Sequence, residues 1–343
     1  MKKKVGVLTF HGADNLGAVL QAYALCKYIT DNLDAETEIV DYSCDEVEKT
    51  RYANDCNGIK KIPLIFYYKI KRKGFDKFRN KFLPLSNKKY VRNDIESCNL
   101  LYSTFITGSD QVWNIECSGD DTTYFLDFVE PGKNKIAYAA SIGSIDFKEE
   151  KVKEINKLLK DFKAISVRES SSIQKLKLAD QTPILPDPVF LLDKCQWKDI
   201  ITKRIKKKKY VLVYLIQEDV NVVRVAREYA NKHDYDIIIN KKSIDFILNN
   251  SPECFLSWID NAEAVFTNSF HGTAFSIIFN KMLGADIVLK NGGVNNRIRE
   301  LLCSAGLDKC IISDKKSEPT KAEADKWLDR QRKSTYDFLK KNI

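Results

Sequence analysis

The stretch that most clearly indicates the fold is Val265-Phe266-Thr267-Asn268-Ser269-Phe270-His271-Gly272-Thr273. It starts as an apolar run, typical of a buried strand, and continues as a cluster of small polar residues. The following segment, 274–280, reads as a helix. In an open α/β sheet, ligands bind at such junctions, beyond the carboxyl ends of the strands. The stretch therefore predicts an α/β fold with a ligand site after this strand.

The junction contains His271, one of only three histidines in the chain. The start of a helix offers backbone N–H groups and the positive end of a dipole, which suit an anion. An imidazole beside a bound anion is a candidate general acid or base. A histidine that only caps or packs the turn fits the local pattern equally well. Both interpretations of His271 stay open at the level of this motif.

Composition limits the class of protein. A chain of 343 residues with 44% hydrophobic residues predicts a folded protein of two domains. No run approaches the ~20 apolar residues of a membrane span, and the N-terminus does not resemble a signal peptide, so we expect a cytoplasmic location. The nine cysteines form no Cys-x-x-Cys pair and the three histidines are far apart. We therefore expect reduced thiols and no metal site.

Apolar runs alternate with helical patterns along the chain. The predicted strands are 4–10, 38–42, 100–107, 135–139, 164–167, 210–216, 236–240, 264–267 and 285–289. The alternation predicts largely parallel, doubly wound sheets. The fold class is therefore α/β, with two Rossmann-like domains that face a cleft. The predicted divisions are an N-terminal domain at 1–190 with a basic helical insertion at 58–95, a C-terminal domain at 191–316 and a helical tail at 317–343.

Several polar clusters follow predicted strands. Residues 108–114 combine hydrogen-bonding side chains with a tryptophan, which suits sugar recognition, although turn chemistry explains the first three residues. Arg168 can bind a carboxylate or phosphate through two hydrogen bonds, or can pair with Glu169. Arg297 opens a later helix, either as a further anion ligand or as a solvated residue. Asp187, between two prolines, indicates a rigid structural turn.

The segment Lys60–Arg92 is strongly basic, with twelve lysines or arginines against one acid, Asp76. Aromatic residues are interleaved with these charges, a combination that suits an anionic membrane surface, a pyrophosphate-bearing lipid or a nucleic acid. The favoured interpretation is a solvated pair of helices whose aromatic residues lie in the core. Docking to a membrane surface is the alternative.

Seven motifs in order resemble those of the polysaccharide pyruvyl transferase family, and the resemblance covers about residues 4–307. The matching pieces are Asn15-Leu16-Gly17-Ala18-Val19-Leu20-Gln21-Ala22-Tyr23-Ala24-Leu25, Gly108-Ser109-Asp110-Gln111-Val112-Trp113-Asn114, Tyr138-Ala139-Ala140-Ser141, Ser166-Val167-Arg168-Glu169, Asp187-Pro188-Val189-Phe190-Leu191-Leu192, Thr267-Asn268-Ser269-Phe270-His271-Gly272-Thr273, and Arg297 before Leu301-Leu302 and Gly306-Leu307.

The resemblance implies a GT-B-like arrangement of the two domains. It also implies that the enzyme transfers the pyruvyl group of its co-substrate phosphoenolpyruvate onto a sugar, without a cofactor. The expected product is a ketal on a hexose of a lipid-linked or polymeric glycan, in cell-surface polysaccharide biosynthesis. It implies that the catalytic residues are His271 and Arg168. The donor site is expected to use Asn268, Ser269, Phe270, Gly272 and Arg297. The acceptor site is expected to use Asn15, Gly17, Ser109, Asp110, Gln111 and Trp113.

One departure from the family pattern concerns the donor site, because some relatives have an arginine where this chain has Asn268-Ser269, and Arg297 is expected to compensate. A lipid-linked acceptor would bring the basic segment Lys60–Arg92 to the inner membrane surface. The alternatives are a nucleotide-sugar glycosyltransferase of GT-B shape and a non-catalytic basic adaptor that binds a membrane or nucleic acid. With the favoured function, no nucleic acid is expected as a partner.

Overall fold

The computed structural model describes residues 2–52, 62–143, 145–240, 242–288, 295–312 and 318–343. The chain divides into two compact units. The first unit contains residues 1–65, 76–192 and 330–343, and the second contains residues 66–75 and 193–329. The main differences between the predicted domains and these units concern the basic insertion and the tail. Residues 66–75 of the basic insertion belong to the second unit, and residues 330–343 of the tail belong to the first.

The end of the tail belongs to the first unit because its residues bond to that unit. The Tyr28 hydroxyl donates to the Arg332 carbonyl at 3.0 Å. The Arg332 guanidinium donates in turn to the carbonyls of Phe190 and Leu192, each at 3.2 Å. Thr335, which is fully buried, shares a hydrogen bond of 3.0 Å with the Tyr138 hydroxyl. These contacts have large sequence separations, which a local pattern does not reveal.

The first unit is built around a six-stranded sheet. Its strands are β1 (Lys3–Leu8), β2 (Ala35–Tyr42), β3 (Leu85–Tyr90), β4 (Thr104–Thr107), β5 (Asn134–Ala140) and β6 (Ala164–Val167). All neighbouring strands are parallel, in the order β3-β2-β1-β4-β5-β6. This is a Rossmann order, in which the direction of winding reverses between β1 and β4. Strand β3 was not predicted, because its sequence lies inside the basic region that reads as helical.

The helices of the first half of the chain follow the strands. They are α1 (Leu16–Asn32), α2 (Asp45–Tyr52), α3 (Ile62–Phe82), α4 (Ile115–Ser118), α5 (Glu149–Leu159) and α6 (Ser170–Leu176), with 3₁₀ turns at Ile95–Leu100, Thr122–Phe125 and Pro188–Phe190. Asn15 caps the start of α1, since its Oδ1 accepts from the N–H of Gly17 at 2.8 Å and of Ala18 at 3.4 Å. This cap satisfies N–H groups that have no partner within the helix.

The second unit has its own sheet of five strands. They are β7 (Tyr210–Tyr214), β8 (Asp236–Ile239), β9 (Ala264–Thr267), β10 (Met282–Ala285) and β11 (Thr320–Lys321). The order is β11-β10-β9-β7-β8, with only β11 antiparallel to its neighbour. Its helices are α7 (Lys194–Lys198), α8 (Val220–His233), α9 (Ile244–Leu248), α10 (Pro252–Asn261), α11 (Phe270–Ile278), α12 (Asn296–Ser304) and the first part of α13 (Asp325–Asn342), with a 3₁₀ turn at Asp308–Cys310.

The predicted α/β class with two Rossmann-like units is confirmed. Two boundaries near the proposed site were wrong. Helix α11 begins at Phe270 instead of residue 274, since Ser269 caps it. Strand β10 ends at Ala285, whereas a strand was predicted for 285–289. Asp286 turns the chain there, because its carboxylate accepts from the Val288 N–H at 3.0 Å.

Candidate functional site

The junction between β9 and α11 is a tightly bonded turn. The hydroxyl of Thr267 donates to the Tyr214 carbonyl at 2.5 Å and accepts from the Ser269 N–H at 3.0 Å. The hydroxyl of Ser269 accepts from the Gly272 N–H at 3.2 Å and so caps the helix. A Cβ on Gly272 would lie 2.4 Å from the Thr267 Oγ1. Glycine is therefore required for this close approach.

His271 lies in the first turn of α11 and is half-buried. Its ring packs edge-on against Phe270, with centroids 5.2 Å apart and planes at 81°. The guanidinium carbon of Arg297, near the start of α12, lies 5.2 Å from the centroid of the same Phe270 ring. Such a cation–π contact is worth about 0.5–2 kcal/mol. The fold thus brings the predicted catalytic residue His271 and the predicted donor residues Ser269, Phe270 and Arg297 into one region of the second unit.

Asn268, the remaining predicted donor residue with a polar side chain, is turned inward and only 5% exposed. Its Oδ1 accepts from the Ile216 N–H at 2.9 Å, and its Nδ2 donates to the Gln217 carbonyl at 2.9 Å. Both ends of the amide are used by the loop that follows β7. The structure therefore gives Asn268 a bracing role in the protein itself.

A pair of carboxyl groups lies at the same edge of this sheet and was not predicted. Asp286 follows β10, and its N–H donates to the Thr267 carbonyl at 2.8 Å. Burial, together with a hydrogen bond to Asp219, raises the pKa of the Asp286 carboxyl from 3.8 to about 6. Asp219 also caps α8 by accepting from the Val222 N–H at 3.1 Å. Asp286 was overlooked because it was predicted to lie inside a strand.

The raised pKa of Asp286 makes stability dependent on pH. The folded state holds a proton that the unfolded chain releases near pH 3.8, so this stabilisation is complete below pH 3.8 and is lost as the pH rises through 6. We expect urea unfolding to show a loss of stability between pH 4.5 and 7 that Asp286→Asn reduces, because the amide does not ionise. An unchanged pH dependence in the variant would contradict the raised pKa of Asp286.

In the first unit, Arg168 follows β6 and is 5% exposed. Its Nη1 donates to the Asp187 carboxylate at 3.0 Å, and its Nη2 donates to the Ser141 hydroxyl at 3.2 Å. Its Nε lies 3.6 Å from a Glu169 carboxylate oxygen. Although burial opposes the charge, Asp187 and Glu169 raise the pKa of Arg168 further above its usual value. The guanidinium is thus held as a charged link among strand ends.

The end of β5 is irregular beside this link. Ala139 has a φ of 46°, and the pairing of β5 with β6 shifts register between Ala137 and Ala140. The Ser166 hydroxyl satisfies the irregularity by accepting from the Ala139 N–H at 2.9 Å and donating to the Ala137 carbonyl at 3.0 Å. Such bulges re-aim side chains next to functional sites. The bulge at the end of β5 positions Ser141, which accepts a hydrogen bond from Arg168.

The loop after β4 contains most of the predicted acceptor residues. Asp110 has a φ of 79°, which is costly for a residue other than glycine. Its carboxylate accepts from the Gln111 N–H at 2.8 Å, and the Gln111 side chain accepts from the Asn114 amide at 2.9 Å. Asp110 and Gln111 are partly exposed, whereas Ser109 is fully buried. A strained loop at the point where the winding reverses supports a binding role for Asp110 and Gln111.

Trp113 does not fit the predicted role of stacking on a sugar. Its side chain has no exposed surface. The indole stacks on Phe125, with centroids 5.6 Å apart and planes at 8°, and its Nε1–H donates to the Tyr124 carbonyl at 3.2 Å. Trp113 is therefore a residue of the hydrophobic core. Of the other predicted acceptor residues, Gly17 is buried in α1 and Asn15 is an exposed cap.

The other two histidines have structural surroundings. His11 is 2% exposed, with Nδ1 at 3.1 Å from the Thr9 carbonyl and Nε2 at 3.0 Å from an Asp41 oxygen. His233 stacks on Tyr235 with planes at 19°. Among the described residues, no three His, Cys, Asp or Glu side chains are grouped as metal ligands.

A family model described as Polysaccharide pyruvyl transferase matches residues 15–281, which is more than half of the chain. The chain belongs to the polysaccharide pyruvyl transferase family. Membership indicates a pyruvyl transferase enzyme, and a sugar acceptor is compatible with that family. The match includes every motif of the resemblance from Asn15 to His271, whereas Arg297 lies beyond it.

Solved structures of similar fold accompany this family match. The N. meningitidis UDP-GlcNAc 2-epimerase bound to UDP-GlcNAc is 10% identical, with a TM-score of 0.47 and coverage of 100% of both chains. The S. aureus MnaA–UDP structure is 9% identical, with a TM-score of 0.46 and coverage of 100% of this chain and 98% of that one. The E. coli ADP-heptose LPS heptosyltransferase II is 7% identical, with a TM-score of 0.40 and coverage of 98% and 97%. Comparison with curated proteins gives no match.

Several cations of the basic segment 60–92 pair with acidic residues of the protein itself. Lys60 and Lys61 lie outside the described residues. Arg79 is buried and donates to Asp14 at 2.7 Å, while several surface cations pair with acids. The interpretation of the aromatic residues as core is confirmed for Phe75, Phe78 and Tyr90, but it was wrong for Phe66, which is 57% exposed. Among the described residues, none of the helices has the length and hydrophobicity of a membrane span. Contact with a membrane surface stays a prediction.

Proposed function

We propose that this enzyme transfers the pyruvyl group of phosphoenolpyruvate onto two hydroxyls of a glycan sugar, lipid-linked or polymeric, as a ketal. The observation that carries the proposal is the position of Arg297 on the Phe270 ring beside His271, at the N-terminus of α11. A cation and the positive end of a helix dipole suit a donor that carries a carboxylate and a phosphate. A half-buried imidazole in the same turn supplies a proton carrier.

The reaction begins with a proton, which His271 gives to the methylene carbon of the enol. The adjacent carbon then becomes an oxocarbenium-like electrophile, and a sugar hydroxyl adds to it and releases its proton to the imidazole. The C–O bond to phosphate breaks, and the second hydroxyl of the same sugar forms the second C–O bond. The products are the ketal and inorganic phosphate, with the second hydroxyl proton going to the phosphate. General acid–base catalysis of this kind contributes ~10²–10⁴-fold.

The carbon that reacts develops a positive charge, which the negative carboxylate of the donor stabilises. The leaving phosphate is negative, and Arg297 with the N-terminus of α11 stabilises it. We assign no step of this reaction to Arg168, because its guanidinium already bonds to Asp187 and Ser141. Its predicted contact with the donor stays a prediction. The partly exposed Asp110 and Gln111 are the proposed acceptor ligands in the first unit.

A binding experiment tests the donor directly. Phosphoenolpyruvate at ~100 times its dissociation constant is expected to stabilise the protein by about 2.7 kcal/mol, measured as a thermal shift. UDP-GlcNAc and ADP-heptose serve as the comparison ligands. Stabilisation by a nucleotide sugar, with none by phosphoenolpyruvate, would favour a glycosyltransferase instead and contradict the proposal. Release of inorganic phosphate in the presence of a sugar acceptor is the matching activity assay.

A further inference from the structure

We propose that Asn268 is a positioning residue, not a ligand of the donor, and that it sets the position of His271 by clamping the loop that follows β7. This inference rests on the proposed function, since it names how the chain orients the same imidazole. The clamp consists of the two hydrogen bonds from the Asn268 amide to the Ile216 N–H and the Gln217 carbonyl. The amide is 5% exposed, so its two polar atoms face the protein.

The turn on the other side of Asn268 is fixed to the same strand. Thr267 donates to the carbonyl of Tyr214, the last residue of β7, and accepts from the Ser269 N–H. Gly272 lies so close to Thr267 that a Cβ would be 2.4 Å from its hydroxyl. Loss of the Asn268 hydrogen bonds therefore lets residues 267–268, and with them the first turn of α11, shift relative to the β7 exit. A displacement of about 1 Å at a reacting group costs ~10²-fold in rate.

The neighbouring strand provides a matched control. Asn240 follows β8, on the opposite side of β7, and is 6% exposed. Its Oδ1 accepts from the Leu215 N–H at 2.9 Å, and its Nδ2 donates to the Leu215 carbonyl at 2.8 Å. Two asparagines of the same burial thus clamp one loop from two strands. Only Asn268 also leads directly into α11, so the two clamps differ in the property that the proposal concerns.

The experiment compares Asn268→Leu, Asn268→Asp and Asn240→Leu in the full chain. Leucine removes both hydrogen bonds, whereas aspartate keeps the acceptor and loses the donor. For Asn268→Leu we expect kcat to fall ~10–100-fold while the dissociation constant of phosphoenolpyruvate stays within about threefold. Asn240→Leu is expected to lower the melting temperature comparably but to keep kcat within about threefold. Asn268→Asp should recover part of the lost kcat.

Amide hydrogen exchange gives a readout that does not depend on activity. Exchange at Ile216 should accelerate in Asn268→Leu and at Leu215 in Asn240→Leu. A weaker affinity for phosphoenolpyruvate with unchanged kcat in Asn268→Leu would overturn the inference, because Asn268 would then be a donor ligand. Equal loss of kcat in both leucine variants would also overturn it. If the wild type neither binds nor turns over phosphoenolpyruvate, the proposed function is wrong. If amide exchange at Ile216 is unchanged in Asn268→Leu, the clamp itself is wrong.

Discussion

Replacing Arg168 with methionine is expected to lower the free energy of unfolding by about 3–5 kcal/mol, because the change leaves buried carboxylates without their guanidinium. Asp187 is fully buried and Glu169 is 6% exposed. The guanidinium bonds to Asp187 at 3.0 Å and to the Ser141 hydroxyl at 3.2 Å, so it also holds the ends of β5 and β6 together. Urea unfolding at pH 7 of the wild type and the variant measures the difference.

Two further variants make this prediction specific. Arg224 pairs with Glu228 on the surface of α8, at 51% and 55% exposure, so Arg224→Met should change stability by less than about 1 kcal/mol. The double variant Arg168→Met, Asp187→Asn should lose less stability than the sum of the single variants, since the buried charge is also removed. A loss in Arg168→Met no larger than that in Arg224→Met would show that Asp187 does not depend on this guanidinium.

The pairing of Arg168 with Asp187 illustrates what a linear pattern leaves open. Both residues were singled out, Arg168 as an anion ligand or a partner of Glu169 and Asp187 as a structural turn. They meet because the intervening chain returns along β6, where the Leu185 N–H donates to the Val167 carbonyl at 2.9 Å and Ile184 bridges to Val167. A single bridge of this kind has no periodic signal. The structural interpretation of Asp187 was therefore predictable, while its partner was not.

Residue type alone did not predict the role of a side chain correctly where burial decides that role. A tryptophan among polar residues predicts an exposed platform, yet Trp113 is covered by Phe125 and by Phe162, whose ring lies 6.3 Å away edge-on. Phe162 is distant in the sequence, and only the packing of the first unit brings it there. By contrast, the apolar run of 264–267 predicted β9 to the residue, because its boundaries are marked by polar residues on both sides.

The turn after β9 was predictable from the motif, with the helix start as the exception. Small polar residues at 267–269 read as a turn that continues to residue 273, whereas Ser269 caps a helix that begins at once. His271 is therefore a residue of a helical first turn, with its position set by backbone hydrogen bonds. This placement makes the imidazole a fixed group instead of part of a loop, which is what acid–base catalysis at a defined carbon requires.

Substituting His271 with alanine is therefore expected to reduce turnover of phosphoenolpyruvate by ~10²–10⁴-fold, while binding of the donor persists. Alanine suits the first turn of a helix, and the cap from Ser269 to the Gly272 N–H does not involve the imidazole, so the fold should be retained. Phosphate release with a sugar acceptor measures turnover, and the thermal shift with phosphoenolpyruvate measures binding.

His233→Ala is the matched control, because it makes the same chemical change in an exposed helical histidine whose ring stacks on Tyr235. This variant should release phosphate at the wild-type rate.

If His271→Ala also kept near-normal phosphate release, the proton would have to come from another group. Asp286 would be the next candidate, because its carboxyl lies at the same edge of the sheet and has a pKa of about 6. A fall in donor affinity that matched the fall in turnover would instead indicate that the imidazole binds the donor, because a group that acts only on the transition state lowers kcat and leaves binding intact.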